Sequence, residues 1–455
     1  MAFHVMESKI FRNTYGPSEM RDIFEEKSVI ESWLLYEGIL AESQGELGII
    51  PKKFADEIRQ KATLNHVSFE RIVEIFQKTK LASVATIRAL AEVCGGGAGE
   101  YVHYGSCSPE LFENTLMYRI RKAMEVLETQ LKELRSLLKG LVEKHRNTLM
   151  VERSHGQQGL PTSFGLVCAI WSEAVRNHLA RFRESKQRVL SGSLKGPYAN
   201  YASYYTIAGE KCLELEKRVL TKLGLEVSRI SVTRHIERFA EFMNLLLLLA
   251  MTFEKISDDI FTMQRNEIAE VEEPFDTAHQ IGSSTLPHKR NPIFCEAIQA
   301  LGKKIRSNAA AFADTHMRES HDLTGFYLED LIIPETCLMT GSMLENAKTI
   351  LTGLIVKKEK MVRNLELFRG LIMDEALMFA LSKKTGKKQT TYNVLHKAAM
   401  EAFERGISFG ELISEDPFVR ESLTKEEVLR LLQPESYLGL NDFIIEGFLG
   451  DKDKE

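Results

Sequence analysis

Apolar residues at Ile120, Met124, Leu127, Leu131, Leu134, Leu138 and Leu141 recur at spacings of 4, 3, 4, 3, 4 and 3. This heptad seam commits the stretch to a long helix whose apolar stripe another helix must cover. Glu125, Glu128, Lys132 and Glu133 fall on its outer face. A second pattern joins Ile236, Phe239, Met243, Leu246, Leu247, Ala250, Phe253, Ile256 and Ile260. Its apolar face is wide, which predicts burial among several helices. A third candidate runs from about Ile293 to Thr315. Proline supports the same reading: there are 11 in 455 residues, with none between Pro334 and Pro417. The chain is expected to be all-α, with long helices near 115–150, 236–268 and 293–315 packed as a bundle. A seam this wide favours burial by partner chains over a monomeric bundle.

Composition narrows the function classes. Hydrophobic residues at 44% and charged residues at 27% are those of an ordinary globular protein. The formal net charge of -5 argues against a nucleic-acid partner. The central charge-free stretch, Phe242 to Phe253, is twelve residues long, short of a membrane span, so no membrane is expected. The opening residues MAFHVMESKIFRN lack the apolar core of a signal peptide. The six cysteines include no CxxC pair and suit a reducing compartment, which places the protein in the cytoplasm.

The first hundred residues read as short helices. Glu26 to Gly45 has helical spacing, and Leu47 to Pro51 closes it as a turn. CGGGAGE at 94–100 lacks the register of a phosphate loop and reads as a flexible connector. The last hundred residues return to shorter helices. Ser382 to Lys388 reads as a solvated basic loop, and Asp451 to Glu455 as a frayed tail.

Gly282-Ser283-Ser284-Thr285-Leu286-Pro287-His288-Lys289-Arg290-Asn291-Pro292 stands apart. Two prolines, a glycine and paired serines exclude a helix interior, so this is a polar loop feeding a helix from Ile293. Its hydroxyls, fixed positive charge and amide are the groups that hold a carboxylate and the charge developing on it.

GSSTLPHKRNP closely resembles the signature GSSxMPxKxNP of the fumarase/aspartase superfamily. Two further segments follow the superfamily's order. Tyr101 to Ser108 resembles YVHxGxTSQD, and Arg153 to Gly165 resembles GRTHxQxxxPTTFG. The likeness extends to Glu37, to 42–51, to 264–274 and to 423–439. It points to the branch of the adenylosuccinate lyases and 3-carboxy-cis,cis-muconate cycloisomerases.

That resemblance implies an all-α, three-domain fold: an N-terminal helical domain over 1–108, a long-helix bundle over 109–353 and a C-terminal helical domain over 354–455. It implies a homotetramer around a shared helical core, with active sites drawn from three subunits. It implies a small dicarboxylate substrate and β-elimination that releases fumarate. No metal or organic cofactor is implied; His316 and His321 flank Glu319, but not at a helical ligand spacing.

In this scheme Ser283 matches the base, His155 the acid that protonates the leaving group, and Glu296 the carboxylate that orients it. Lys289 and Asn291 match groups that stabilise the dianionic aci-carboxylate. Ser106, Cys107, Ser108, Ser154 and Gln157, with Ser284 and Arg318, match substrate-binding positions.

The departures concern the leaving group. Cys107 replaces a threonine, and Pro109-Glu110 replaces Gln-Asp. Leu81 stands where adenylosuccinate lyases carry a phosphate-side histidine. His235-Ile236-Glu237-Arg238 replaces an RDR-type run, and Ser191 to Asn200 is one residue longer than SGAVGTYAN. Arg318 to Asp322 replaces HERD. The expected activity is cleavage of a C–N, C–O or C–S bond in a substituted succinate. The alternatives are adenylosuccinate lyase proper, a muconate cycloisomerase-like enzyme and a non-catalytic structural relative.

Overall fold

Five long helices dominate the chain: Ser108–His145, Phe164–Val189, Glu237–Gln264, Ile293–Ala313 and Leu323–Gly353. The computed structural model describes residues 5–230, 236–314 and 323–450. The heptad residues of Ser108–His145 are at most 8 % exposed, while Glu125, Lys132 and Glu133 face solvent. Three of the five helices follow the expected ranges. Phe164–Val189 and Leu323–Gly353 were not foreseen. The second contains Pro334, whose missing N–H leaves the Asp330 carbonyl without its helical donor.

Two compact units share these helices. The first comprises Met1–Lys132, Asn177–Glu254 and Ala297–Asn346. Its helices meet through a buried apolar core that polar contacts stitch in register. Gln130 Nε2 donates to Glu345 Oε1 at 2.8 Å, His178 and Thr252 share a 2.8 Å hydrogen bond, and Asn308 Nδ2 donates to Glu335 Oε2 at 2.8 Å. The N-terminal helix Glu26–Glu46 lies in this unit and buries Trp33, Leu34, Tyr36 and Glu37 on its inner side. The 94–100 stretch is more ordered than a free connector. It turns into a short 3-10 helix, Ala98–Tyr101, whose Ala98 is fully buried.

The second unit comprises Glu133–Arg176, Lys255–Glu296 and Ala347–Glu455. An antiparallel hairpin, Leu149–Ser154 with Gln157–Ser163, departs from the purely helical expectation. Two shorter pairings join Ser191–Gly192 to Glu226–Val227 in the first unit and Val271–Glu272 to Ile355–Val356 in the second. Residues 365–432 gather a core of Leu377, Leu381, Leu395, Phe409, Ile413 and Val428, to which Val151 of the hairpin adds. Thr424 and Glu427 close a capping box on Lys425–Leu431, satisfying two otherwise orphaned backbone donors.

The Ser382–Lys388 segment is helical for most of its length, correcting the loop reading. Asp374–Thr385 and Lys388–Arg405 leave only Gly386 and Lys387 between them. Lys384 donates to the Ser422 carbonyl at 3.1 Å and pairs with Glu427 at 3.2 Å. Among the described residues no helix is long and apolar enough to cross a membrane. The tail expected at 451–455 lies outside the described residues.

Candidate active site

The hairpin of the second unit ends in a two-residue turn. His155 and Gly156 both take positive φ, 53° and 74°. Turns of that kind match the twist of the flanking strands, and glycine meets the requirement at no steric cost. The turn leaves Ser154, His155 and Gln157 exposed at the tip. The stem beneath is fixed by charge. Arg153 binds Glu270 through its two terminal guanidinium nitrogens at 2.7 and 2.8 Å, and Asn364 Nδ2 donates to Glu270 Oε1 at 2.7 Å. The Glu270 side chain is fully buried, so this planar two-point contact fixes geometry as well as supplying energy.

The Gly282–Pro292 segment, also in the second unit, is a loop as expected. Its ends are tied: Asn291 Nδ2 donates to the Gly282 carbonyl at 2.6 Å. Gly282 is required there, because a Cβ would lie 1.8 Å from the Lys289 carbonyl oxygen. Inside the loop, Ser283 Oγ accepts the backbone N–H groups of Thr285 at 3.3 Å and Leu286 at 3.1 Å. Two amides aimed at one hydroxyl oxygen favour its deprotonated form. Ser284 and Lys289 are exposed.

Around the loop, Gln264 Nε2 donates to the Arg290 carbonyl at 3.3 Å, and Arg290 pairs with Glu272 at 2.9 Å. Buried Glu273 accepts the N–H groups of Phe294 and Cys295 at 3.2 and 2.6 Å, capping the helix that carries Glu296. A cavity of about 440 Å³ adjoins the loop, lined in part by Gln264, Arg265, His288, Lys289, Asn291 and Lys357. Glu267 and Glu272 line it as well, and Glu272 pairs with Arg290 and Lys357, so Lys289 and Arg265 are the cations it offers to an anionic ligand. Among the described residues His155 and Glu296, both exposed, make no hydrogen bond with each other.

The first unit carries the third segment. His103 takes φ 61° and its Nδ1 lies 2.7 Å from Glu37 Oε1. Burial disfavours the charged imidazole, but Glu37 outweighs it and holds His103 above its ordinary range. Ser106 Oγ lies 2.8 Å from Tyr36 Oη and donates to Glu110 Oε2 at 3.3 Å. Burial, and then the neighbouring Glu110, push the Cys107 thiol up, so it stays neutral. Ser83 donates to Ser108 Oγ at 2.8 Å. Burial raises the Glu110 carboxyl as well.

The sequence-named residues thus fall into two groups. Ser154, His155, Gln157, Ser283, Ser284, Lys289, Asn291 and Glu296 belong to the second unit, and Ser106, Cys107 and Ser108 to the first. Arg318 lies outside the described residues, as do His235, His316 and His321. Arg238 is buried and pairs with Glu113 at 2.9 Å. Leu81 is 41 % exposed at the start of Ala82–Val93. Glu110 and Glu270, which anchor two of the segments, were not singled out for a site role from sequence. Nothing local marks a carboxylate whose partners lie 86 and 117 residues away.

Comparison with known proteins adds the following. A family model described as "Lyase" matches residues 12–307, and one described as "Adenylosuccinate lyase C-terminus" matches residues 370–448. The adenylosuccinate lyase of Methanocaldococcus jannaschii is 40% identical over 450 residues, 98% of this chain and 95% of that protein. The N-acetyl-S-(2-succino)cysteine lyase of Dickeya dadantii is 34% identical over 441 residues, covering 96% and 95%. The crystal structure of a fumarate lyase from Mesorhizobium sp. BNC1 superposes with a TM-score of 0.88 at 28% identity, covering 96% of this chain and 99% of that one.

Proposed function

The chain belongs to the fumarase/aspartase superfamily of lyases, in its adenylosuccinate lyase branch, and from that premise we propose that it releases fumarate from a substituted succinate by β-elimination. One observation carries the reading: Ser283 Oγ receives two backbone N–H groups inside the closed Gly282–Asn291 loop. A serine hydroxyl is a poor base unless its oxyanion is stabilised before the proton arrives. In the proposed step Ser283 acts as the alkoxide that the Thr285 and Leu286 amides stabilise: it takes the proton from the carbon next to one carboxylate and becomes the neutral hydroxyl. Lys289 and the loop amides carry the charge of the resulting aci-carboxylate. That electron pair then forms the double bond of fumarate as the bond to the heteroatom breaks, and His155 protonates the heteroatom.

The tip position of His155 suits a group that completes a site in another subunit, with Glu296 meeting the histidine of a neighbouring chain. The proposed assembly is a homotetramer around the 109–353 bundle, flanked by 1–108 and 354–455. Leu248, Met251, Leu323, Tyr327 and Leu331 support it: these large apolar residues on the long helices are 40 to 70 % exposed in the single chain. Light scattering should return four times the 51.7 kDa chain mass, and a monomeric mass at micromolar concentration rejects the shared site.

The leaving group is proposed to be smaller than a nucleotide. Leu81 offers no hydrogen bond to a phosphate, and Arg238 is committed to Glu113. A pocket without those donors would desolvate a phosphate dianion with little return. The 40% identity to an archaeal adenylosuccinate lyase favours the nucleotide as the second reading. The two separate by kcat/KM, followed through fumarate absorbance, with N-acetyl-S-(2-succino)cysteine and adenylosuccinate in parallel. The small substrate is expected to lead by roughly a hundredfold or more. Cleavage of adenylosuccinate at about 10⁴ M⁻¹s⁻¹ or faster restores the nucleotide assignment.

A further inference from the structure

Glu110 sits in the first turn of Ser108–His145 and is 1 % exposed. Its carboxylate gathers donors from two directions. Oε1 accepts the N–H of Gly196 at 2.7 Å, and Oε2 accepts the Tyr204 hydroxyl at 2.9 Å. From the other side come the Ser106 hydroxyl, at 3.3 Å, and the Cys107 thiol. The 193–204 segment it reaches is itself rigid. Asn114 holds both the N–H and the carbonyl of Ser193, at 3.2 and 3.0 Å. Glu216 accepts the Leu194 N–H at 2.9 Å, the Lys195 ammonium at 2.6 Å and the Tyr201 hydroxyl. Ser203 Oγ closes the loop by donating to the Gly105 carbonyl at 2.8 Å.

Two departures from the superfamily pattern meet here. The 191–200 segment is one residue longer than its counterpart, and the acid at 110 is a glutamate rather than an aspartate. Each bears on the other. An aspartate carboxylate would end about 1.5 Å short, so the Gly196 contact would open well past hydrogen-bond range and leave a buried N–H without a partner.

We propose that Glu110 is a positioning residue for substrate binding: its reach clamps the lengthened 193–204 segment to the 103–108 segment and so fixes the orientation of Ser108. With Ser106 and Cys107 turned onto Glu110, Ser108 is the member of the trio whose hydroxyl proton is left for a ligand. It accepts from Ser83, and among the described residues it donates to none. This inference rests on the substrate-binding role that the resemblance implies for residues 106–108 and on the fumarate release proposed above.

The test compares reach with charge at one position in the full-length protein. Glu110→Gln keeps the reach and an oxygen for the Gly196 N–H, with the Tyr204 and Ser106 hydroxyls turning to accept from its Nε2, whereas Glu110→Asp keeps the charge and loses the reach. The readouts are the fumarate dissociation constant by calorimetry and the separation of KM from kcat. Glu110→Asp should weaken fumarate binding roughly tenfold and raise KM more than it lowers kcat, while Glu110→Gln stays within about threefold of the parent. The reverse order, an equal loss in both, or parental binding in both overturns the proposal. Tyr204→Phe removes one donor to Oε2 while keeping the ring, and supplies the check should Glu110→Asp not fold. It should weaken fumarate binding about threefold or more, and unchanged binding counts against the clamp. A parental protein that neither binds fumarate nor releases it defeats the functional reading itself, and this proposal with it.

Discussion

Ser283→Ala is expected to lower kcat by about a thousandfold while leaving KM within a few-fold, the scale of losing one positioned proton-transfer group. The hydroxyl is small and the loop that carries it is held elsewhere. Asn291 ties to the Gly282 carbonyl, and the Gly282 and Lys289 backbones lie too close to admit a Cβ. Removing the oxygen deletes the acceptor of the substrate proton and frees the N–H groups of Thr285 and Leu286, two exposed residues whose amides can turn to water. Lys289→Ala in the same series should raise KM and lower kcat together, since its charge serves bound substrate and transition state alike. Turnover of the Ser283 variant within tenfold of the parent would transfer the base role to another group.

The long helices were legible where one face alone is apolar. Ile120 through Leu141 repeat every three or four residues, and the same positions are buried. Leu323–Gly353 escaped because from Ile332 to Lys348 no face of it is exposed, and Pro334 argues locally against a helix. Packing overrides that preference, with Thr336 Oγ1 donating to the Ile332 carbonyl at 2.6 Å beside the break. The hairpin escaped for another reason. Its turn depends on His155 adopting positive φ, which a side-chain pattern does not encode.

The site was legible as motifs and illegible as anchors. Ser283, Lys289 and Asn291 announce themselves because proline, glycine and paired serines cannot form a helix interior. The segments at 101–108 and 153–165 became legible through resemblance and order rather than through any local pattern. Glu110 and Glu270 stand in or beside segments that the resemblance covers, Glu270 among Glu267, Glu272 and Glu273, but which of these carboxylates anchors what is decided only when distant segments close on them.

Glu270→Ala should lower the unfolding free energy by about 3 kcal/mol, the lower end of the cost of breaking a buried ion pair from one side. The lower end applies because the Arg153 side chain is 18% exposed and water can partly resolvate it. The loss is larger than for a surface pair because two groups are orphaned at once: the guanidinium, and the Asn364 amide that also donates to Glu270. Activity should fall further than stability alone explains, since Arg153 is two residues from His155 and fixes the stem from which that side chain projects. Replacing both partners by methionine separates the two effects. The double variant removes the unpaired charge and should recover more than half of the lost stability. Turnover should stay low, because the two-point contact that orients the hairpin is still gone. Urea unfolding of the parent, the single and the double variants reads the first effect, and kcat/KM read at a urea-free temperature well below unfolding reads the second. A Glu270→Ala protein with the parental urea midpoint removes the ion pair as the anchor. Full turnover in the double variant would show that His155 is held by the strands alone.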